Sequence, residues 1–254
     1  MKFSQAVVKT PCKNLVNGLT EANLGQPDYE LALEQHSRYI AALEACGLSV
    51  SILPPDEDYP DSTFVEDVAL LTPRCAILTR PGAPSRRGET LAMQAALESF
   101  YDNIDRIQGP GTVDAGDIMM VGEHYYIGLS DRTTVEGAQE MIRLLNTYGM
   151  TGSTVPLEHV LHLKTGVAYL ENNNLVVSGE FVNKAEFESF NKLTFPDTEG
   201  YAANCIWANG RVILPAGHPQ SAALVSEAGY PVIEVDMSEF QKLDGGVSCL
   251  SLRF

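Results

Sequence analysis

The chain has 254 residues, 44% hydrophobic and 20% charged, which suits a globular fold with a sizeable core. Its 17 Lys and Arg against 33 Asp and Glu give a formal charge of −16. That balance argues against nucleic-acid and anionic-membrane partners and favours small cationic molecules.

In chain order, "MKFSQAVVKT" carries no apolar signal core, and "SQAVVK" within it reads as a strand. "LVNGLTEANLGQPDY" (15–29) reads as a loop able to close over a site. A helix is expected over 29–46, with Ala32, His36, Tyr39, Ile40 and Leu43 at helical spacing, and "LSVSILP" follows as a strand. Val68–Leu71 and Ala76–Thr79 read as strands around a Pro73-Arg74 turn, with a helix over 87–100 after them. "DIMMVGEHYYIG" repeats the pattern around Gly122-Glu123. Its helix, 134–148, opens on Thr133 and Glu136 as a capping box, carries Val135, Ala138, Ile142 and Leu145 as its stripe, and stops at Gly149. "HLKTGVAYLENNNLVVSGEF" turns at an Asn-rich 172–174. "AANCIWANGRVILPAGH" turns at Asn209-Gly210, a hairpin signal, before a helix over 219–228 and the strand "PVIEVD". The final "GVSCLSL" reads as a strand. No apolar run reaches membrane-spanning length.

One module recurs: polar head, strand, tight turn, strand, helix, closing strand. Its spacing of about 40–50 residues is that of an array or propeller. The fifth copy is split, with "GVSCLSL" and "SQAVVK" as its strands. No linker of biased composition interrupts the chain, which predicts one α/β domain over 1–254. A doubly wound sheet is the rival, but it needs a long crossover after each strand, and these strands come in hairpin pairs.

The heads carry the chemistry. They hold Glu66-Asp67, then Asp114 and Asp117, then His162 and Lys164, then Asn204, then Cys249. Modules set around an axis would bring these into one cavity, joining a thiol, an imidazole and several carboxylates. Taken alone, Cys249 reads as a small buried hydrophobe sooner than as a nucleophile, and Cys205 competes with it for that role. On strand alternation, Val247, Cys249 and Ser251 share one face, and Val160, His162 and Lys164 share another. His162 alone is equally compatible with a structural role. The remaining cysteines are scattered, with no C-x-x-C pair, which gives no disulfide framework or structural zinc pattern; a reducing cytoplasm is the simplest compartment. No EF-hand, Walker or dinucleotide-binding pattern is present, and no metal or organic cofactor is called for. Arg86 and Arg132 both precede helices and could grip a carboxylate with forked donors, or stand as exposed basic residues.

"FVED", "GTVDAGDIMM", "LHLKTG", "AANCIW" and "DGGVSC", in that order and nearly end to end, resemble the dimethylarginine dimethylaminohydrolases, among the guanidine-modifying enzymes. The resemblance implies a five-bladed α/β propeller with pseudo-fivefold symmetry. It implies hydrolysis of asymmetric dimethylarginine or monomethylarginine to citrulline and a methylamine. Cys249 would be the nucleophile and His162 the general acid/base, with Asp67 and Asp114 on the guanidinium. Arg86 and Arg132 would take the α-carboxylate. Asp61, with the carbonyls of Leu19 and Leu243, would lie near the α-amino group, and Glu66 would line the pocket. Asp114 stands where close bacterial relatives carry Glu and animal relatives Asp, one methylene shorter, which points to altered preference among methylated arginines. The expected partner is a small cationic amino acid; a homodimer is compatible with the chain.

Three other activities use related parts. An arginine deiminase runs the same chemistry on unmethylated arginine, usually in a longer chain, and an amidinotransferase hands the amidino group to an amine. A cysteine-protease-like hydrolase would not need so many acids. A non-catalytic binder of cationic amino acids would need the acids and arginines but not Cys249 with His162.

Overall fold

The structure, a computed structural model, describes residues 2–254. Strand β1 (Gln5–Lys9) leads to α1 (Tyr29–Ala45) and β2 (Ser49–Leu53). The next unit comprises β3 (Ala69–Leu71), β4 (Ala76–Leu78), α2 (Glu89–Leu97) and β5 (Ile104–Arg106). It is followed by β6 (Ile118–Val121), β7 (His124–Leu129), α3 (Val135–Thr147) and β8 (Thr151–Pro156). Then come β9 (Val167–Tyr169), β10 (Asn174–Val177) and β11 (Asn191–Thr194), where two 3-10 turns, Gly179–Asn183 and Ala185–Phe187, stand in for the α-helix. The last units are β12 (Ile206–Ala208), β13 (Arg211–Pro215), α4 (Pro219–Glu227) and β14 (Val232–Val235), then α5 (Ser238–Gln241) and β15 (Leu252–Arg253).

These strands form five three-stranded sheets of one design. In each, the first strand runs antiparallel to the second and the third runs parallel to it. The split copy obeys the same rule: β15 is antiparallel to β1, and β2 is parallel to β1. A hairpin followed by a helical crossover is what each local pattern dictates. Asn209 (φ 49°) and Gly210 (φ 88°) make the β12–β13 turn in the left-handed region, as the dipeptide requires. No described helix is long and apolar enough to cross a membrane.

Helices cover the sheets with the faces their sequences predict, with one exception. Ala32, His36, Tyr39 and Leu43 of α1 are buried, and Asp28 caps the helix by accepting from the Leu31 amide. In α3 the buried face is Gly137, Ala138, Met141 and Leu145, whereas Val135 is 49% exposed. Its N-cap is Thr134, whose hydroxyl accepts from the Gly137 amide at 3.2 Å. Thr133, expected as the cap, is turned inward and buried.

The first strands of all five sheets line a common central cavity of about 130 Å³. A 3-10 turn stands at the head of each: Val65–Val68, Ala115–Asp117, Leu163–Thr165, Asp197–Ala203 and Ser248–Leu250. The turn Val65–Val68 touches Ser248–Leu250 on one side and Ala115–Asp117 on the other. Contacts continue through Leu163–Thr165 to Asp197–Ala203. Asn204 ends that turn and accepts the Ser248 amide at 2.8 Å, linking it to the turn Ser248–Leu250. Cys249 is therefore in a turn rather than in the expected strand, which begins at Leu252.

Candidate active site

Above the ring of turns lies a second cavity, of about 210 Å³, onto which Cys249, His162, Asp67 and Asp114 all open. Each comes from a different head, and the turn that carries Asp67 touches both the turn that carries Cys249 and the turn that follows Asp114.

Cys249 is placed by "DGGVSC". A side chain at Gly245 would run into the Phe64 ring, and one at Gly246 into the Asn204 amide, so both positions need glycine. The Gly246 amide donates to Cys249 Sγ at 3.4 Å, and Asn204 Nδ2 lies 3.9 Å from it. Burial, then the negative charges of Glu66 and Asp67, push the thiol up to about 12. At neutral pH the empty site holds a thiol, not a thiolate.

His162 caps the turn Leu163–Thr165, with Nε2 3.1 Å from Asp114 Oδ2. Burial alone would lower its pKa. Asp67, Asp117 and Asp114 outweigh burial and raise it to about 9. The imidazole is therefore charged at neutral pH and equipped to give a proton away. Asp67 is held ionised by His162 and Arg86 against its burial. Its Oδ2 accepts from Arg86 Nη1 at 2.5 Å and its Oδ1 from the Gly116 amide at 3.1 Å. Asp114 Oδ1 accepts from the Gly82 amide at 2.8 Å. Asp67, Asp114 and His162 bring ligand atoms within 4.8 Å of one another, a spacing that could hold a metal. Their oxygens, however, are already committed to Arg86, to two backbone amides and to His162. A guanidinium supplies the positive charge a metal would bring.

The other expected residues divide. Asp61, Arg132, Leu19 and Leu243 line the same cavity, and Asp61 Oδ1 accepts from the Leu19 amide at 2.9 Å. Of the 15–29 segment, Leu19, Thr20 and Glu21 line the cavity, while Lys13–Asn17 form a 3-10 turn and Tyr29 begins α1. The Thr20 hydroxyl donates to the Lys242 carbonyl at 2.8 Å and the Glu21 amide to Asp244 Oδ2 at 2.6 Å. Asp114, despite its short side chain, reaches His162.

Glu66 does not open on this cavity. It lines the central one, bound by Lys164 Nζ at 2.7 Å and the Ser248 hydroxyl at 2.6 Å, with Arg253 at 3.7 Å. Lys164 goes with it and so parts from His162, because a 3-10 turn rotates successive residues by about 120° where a strand rotates them by 180°. Arg86 touches the cavity but is buried and heavily committed. Besides Asp67 it binds Glu89 through Nε at 3.0 Å and Nη2 at 2.9 Å, and it donates to the Phe64 carbonyl at 2.8 Å. It serves first to fix Asp67, which its expected role as a free carboxylate clamp did not include. Glu89 was missed, although the i, i+3 spacing in "RRGE" is a usable signal. Asp117, expected among the head residues, lies behind the cavity instead, where with Thr133 and Ser130 it braces Asp114 and His162; Ser130 carries no sequence signal.

The architecture and site define a class first. The family model described as arginine deiminase matches residues 55–209. Over its whole length the chain is also close to single proteins: it is 58% identical to N(G),N(G)-dimethylarginine dimethylaminohydrolase of Pseudomonas aeruginosa, across 99% of this chain and 100% of that one. It is 34% identical to the protein of that name from Streptomyces coelicolor, across 100% and 98%. The chain belongs to the dimethylarginine dimethylaminohydrolase family. Among solved structures, the C249S mutant of the Pseudomonas aeruginosa enzyme complexed with citrulline superposes with a TM-score of 0.99 at 57% identity, over 100% of both chains. The N-terminal domain of ArgZ, an arginine dihydrolase, reaches 0.90 at 19% identity over 100% of this chain and 97% of that one, a likeness of fold.

Proposed function

We propose that this chain hydrolyses Nω-methylated arginines to citrulline and dimethylamine or methylamine. The observation that carries this is the opening of the Cys249 thiol and the Asp114-paired His162 onto one cavity bordered by Asp67 and Asp61. The Pseudomonas aeruginosa relative, whose name states this activity, supports the substrate class.

Asp67 and Asp114 hold the substrate guanidinium and set its central carbon in line with the sulfur. That added positive charge lowers the thiol pKa, and the thiol proton passes to solvent as the ligand enters. The sulfur attacks the carbon; an S–C bond forms and a tetrahedral adduct results. His162 passes its proton to the methylated nitrogen, the C–N bond breaks, and the amine departs. A planar thiouronium remains. Neutral His162 then takes a proton from water, which adds to the same carbon. The C–S bond breaks, giving citrulline and restoring the sulfur.

Arg132 serves the α-carboxylate, and Asp61 with Leu19 and Leu243 the α-amino end. The five sheets with their shared cavity support a five-bladed α/β propeller forming a single domain over 1–254.

The test is citrulline formation from arginine, monomethylarginine and asymmetric dimethylarginine, side by side. Turnover of the methylated forms with release of the amine is expected. Preference for unmethylated arginine with release of ammonia would move the chain to the second reading, an arginine deiminase, which the matching family model favours.

A further inference from the structure

Asp117 is fully buried one turn behind the reacting groups and lines neither cavity. Its carboxylate ties together three segments that feed the site. Oδ1 accepts the Leu163 amide at 2.9 Å, directly after His162. Oδ2 accepts the Thr133 hydroxyl at 2.6 Å and the Ser130 hydroxyl at 2.7 Å. Each of those hydroxyls is itself an acceptor. Thr133 Oγ1 takes the Asp114 amide at 3.1 Å, and Ser130 Oγ takes the Arg132 amide at 3.0 Å. The neighbouring β7 makes room: a Cβ at Gly128 would sit 3.0 Å from both Asp117 Oδ1 and the Leu163 Cβ.

From this geometry we propose that Asp117 is the positioning residue of the site, a single buried carboxylate that sets the stations of His162, Asp114 and Arg132 together. The inference rests on the function proposed above. A carboxylate suits the post because it offers only acceptors, so both hydroxyls must point their hydrogens at it and leave their lone pairs to the two amides. A carboxamide cannot impose that polarity. Its –NH2 would compete for the same lone pairs, and the amides of Asp114 and Arg132 would lose their partners.

Asp117 also acts through its charge. His162 is faced by Asp114 and Asp117 from one head and Asp67 from another. Arg86 stands behind Asp67, and the Cys249 thiol shares the cavity. Removing one of three carboxylates lowers the affinity of the imidazole for its proton, whereas a purely structural support would leave it alone.

The experiment uses Asp117→Asn, with Thr133→Val and Thr133→Ser as companions, each checked for folding by circular dichroism. In Asp117→Asn, kcat on dimethylarginine is expected to fall at least about tenfold, with a smaller rise in KM from the displaced Arg132. The His162 ring, followed by proton NMR in the empty protein, should titrate lower by at least about half a unit. Thr133→Ser, which keeps the hydroxyl, should retain activity within about threefold, and Thr133→Val should lose kcat without moving the His162 titration. A folded Asp117→Asn protein with an unshifted imidazole and kcat within twofold of wild type overturns the proposal. If that variant does not fold, equal activity in Thr133→Val and Thr133→Ser overturns it. The NMR titration needs no turnover, so an inactive wild-type chain would count against the proposed function and not against this role.

Discussion

Two cavities share one ring of turns, and their charges are arranged differently. The central one carries Glu66 and Glu171 against Lys164 and Arg253, a balanced set with Glu66 bonded to Lys164. The outer one carries five carboxylates, Glu21, Asp61, Asp67, Asp114 and Asp244, against Arg86, Arg132 and His162. Adjacent residues serve the two sides: Glu66 and Asp67 are neighbours, as are Ser248 and Cys249. A closed ion network needs no further ligand, whereas a cavity whose acids outnumber its cationic side chains favours a cationic guest. The difference separates what holds the molecule together from what receives the substrate.

The largest effect that would break this division concerns its thiols. Burial pushes Cys205, on the central side, up to about 12, and Cys249 reaches the same value with Glu66 and Asp67 adding to burial. Cys249→Ser should cut kcat by a factor of about 10⁴ or more, and Cys205→Ala should leave it within about twofold. Comparable losses in both would erase the distinction.

Next comes stability. Lys164→Met removes the 2.7 Å ion pair of Glu66, leaving it the Ser248 hydroxyl and Arg253 at 3.7 Å, and should cost about 3 kcal/mol in urea unfolding, with the Glu66→Gln/Lys164→Met pair recovering much of it. A loss well below about 1 kcal/mol would mean that the central network is solvated and adds little.

A smaller change is expected at Arg132. Arg132→Gln should raise KM about tenfold with kcat changed less than about threefold, since a carboxylate grip acts equally on ground and transition states. A drop confined to kcat would place Arg132 among the reacting groups instead.

The last effect is a titration. Ultraviolet absorbance should show the Cys249 thiolate forming at lower pH when an inert guanidinium ligand is bound, by about one unit or more, with Cys205 unaffected. A ligand-independent Cys249 would remove the role given to the excess acid.

Much of this was legible in the sequence. Hairpins followed by helices announced the five sheets, because alternation, turn dipeptides and apolar stripes are local signals. That Asp67, Asp114, His162 and Cys249 meet followed from their shared place in the module. Which cavity each head residue faces is not legible, since strand alternation puts Lys164 on the face of His162 where the chain makes a 3-10 turn, and the resemblance puts Glu66 in the substrate pocket where it lines the central cavity. Thr133 shows the same limit: with Glu136 it fits a capping box, but Asp117 takes its hydroxyl and the cap falls to Thr134. Arg86 reads from the sequence as a carboxylate grip or an exposed basic residue, because a sequence does not show how many partners a guanidinium already has.

Gly246, where any side chain would strike Asn204, ties the sulfur to a neighbour 45 positions away in the chain rather than to its own sheet. The sulfur that the proposed mechanism uses is thus a keystone between two modules. Recombining whole modules among relatives would preserve each sheet yet misplace the sulfur wherever the "AANC" and "DGGVSC" stretches came from different parents. Crossovers that keep those two stretches together should yield working chimeras far more often than crossovers that part them.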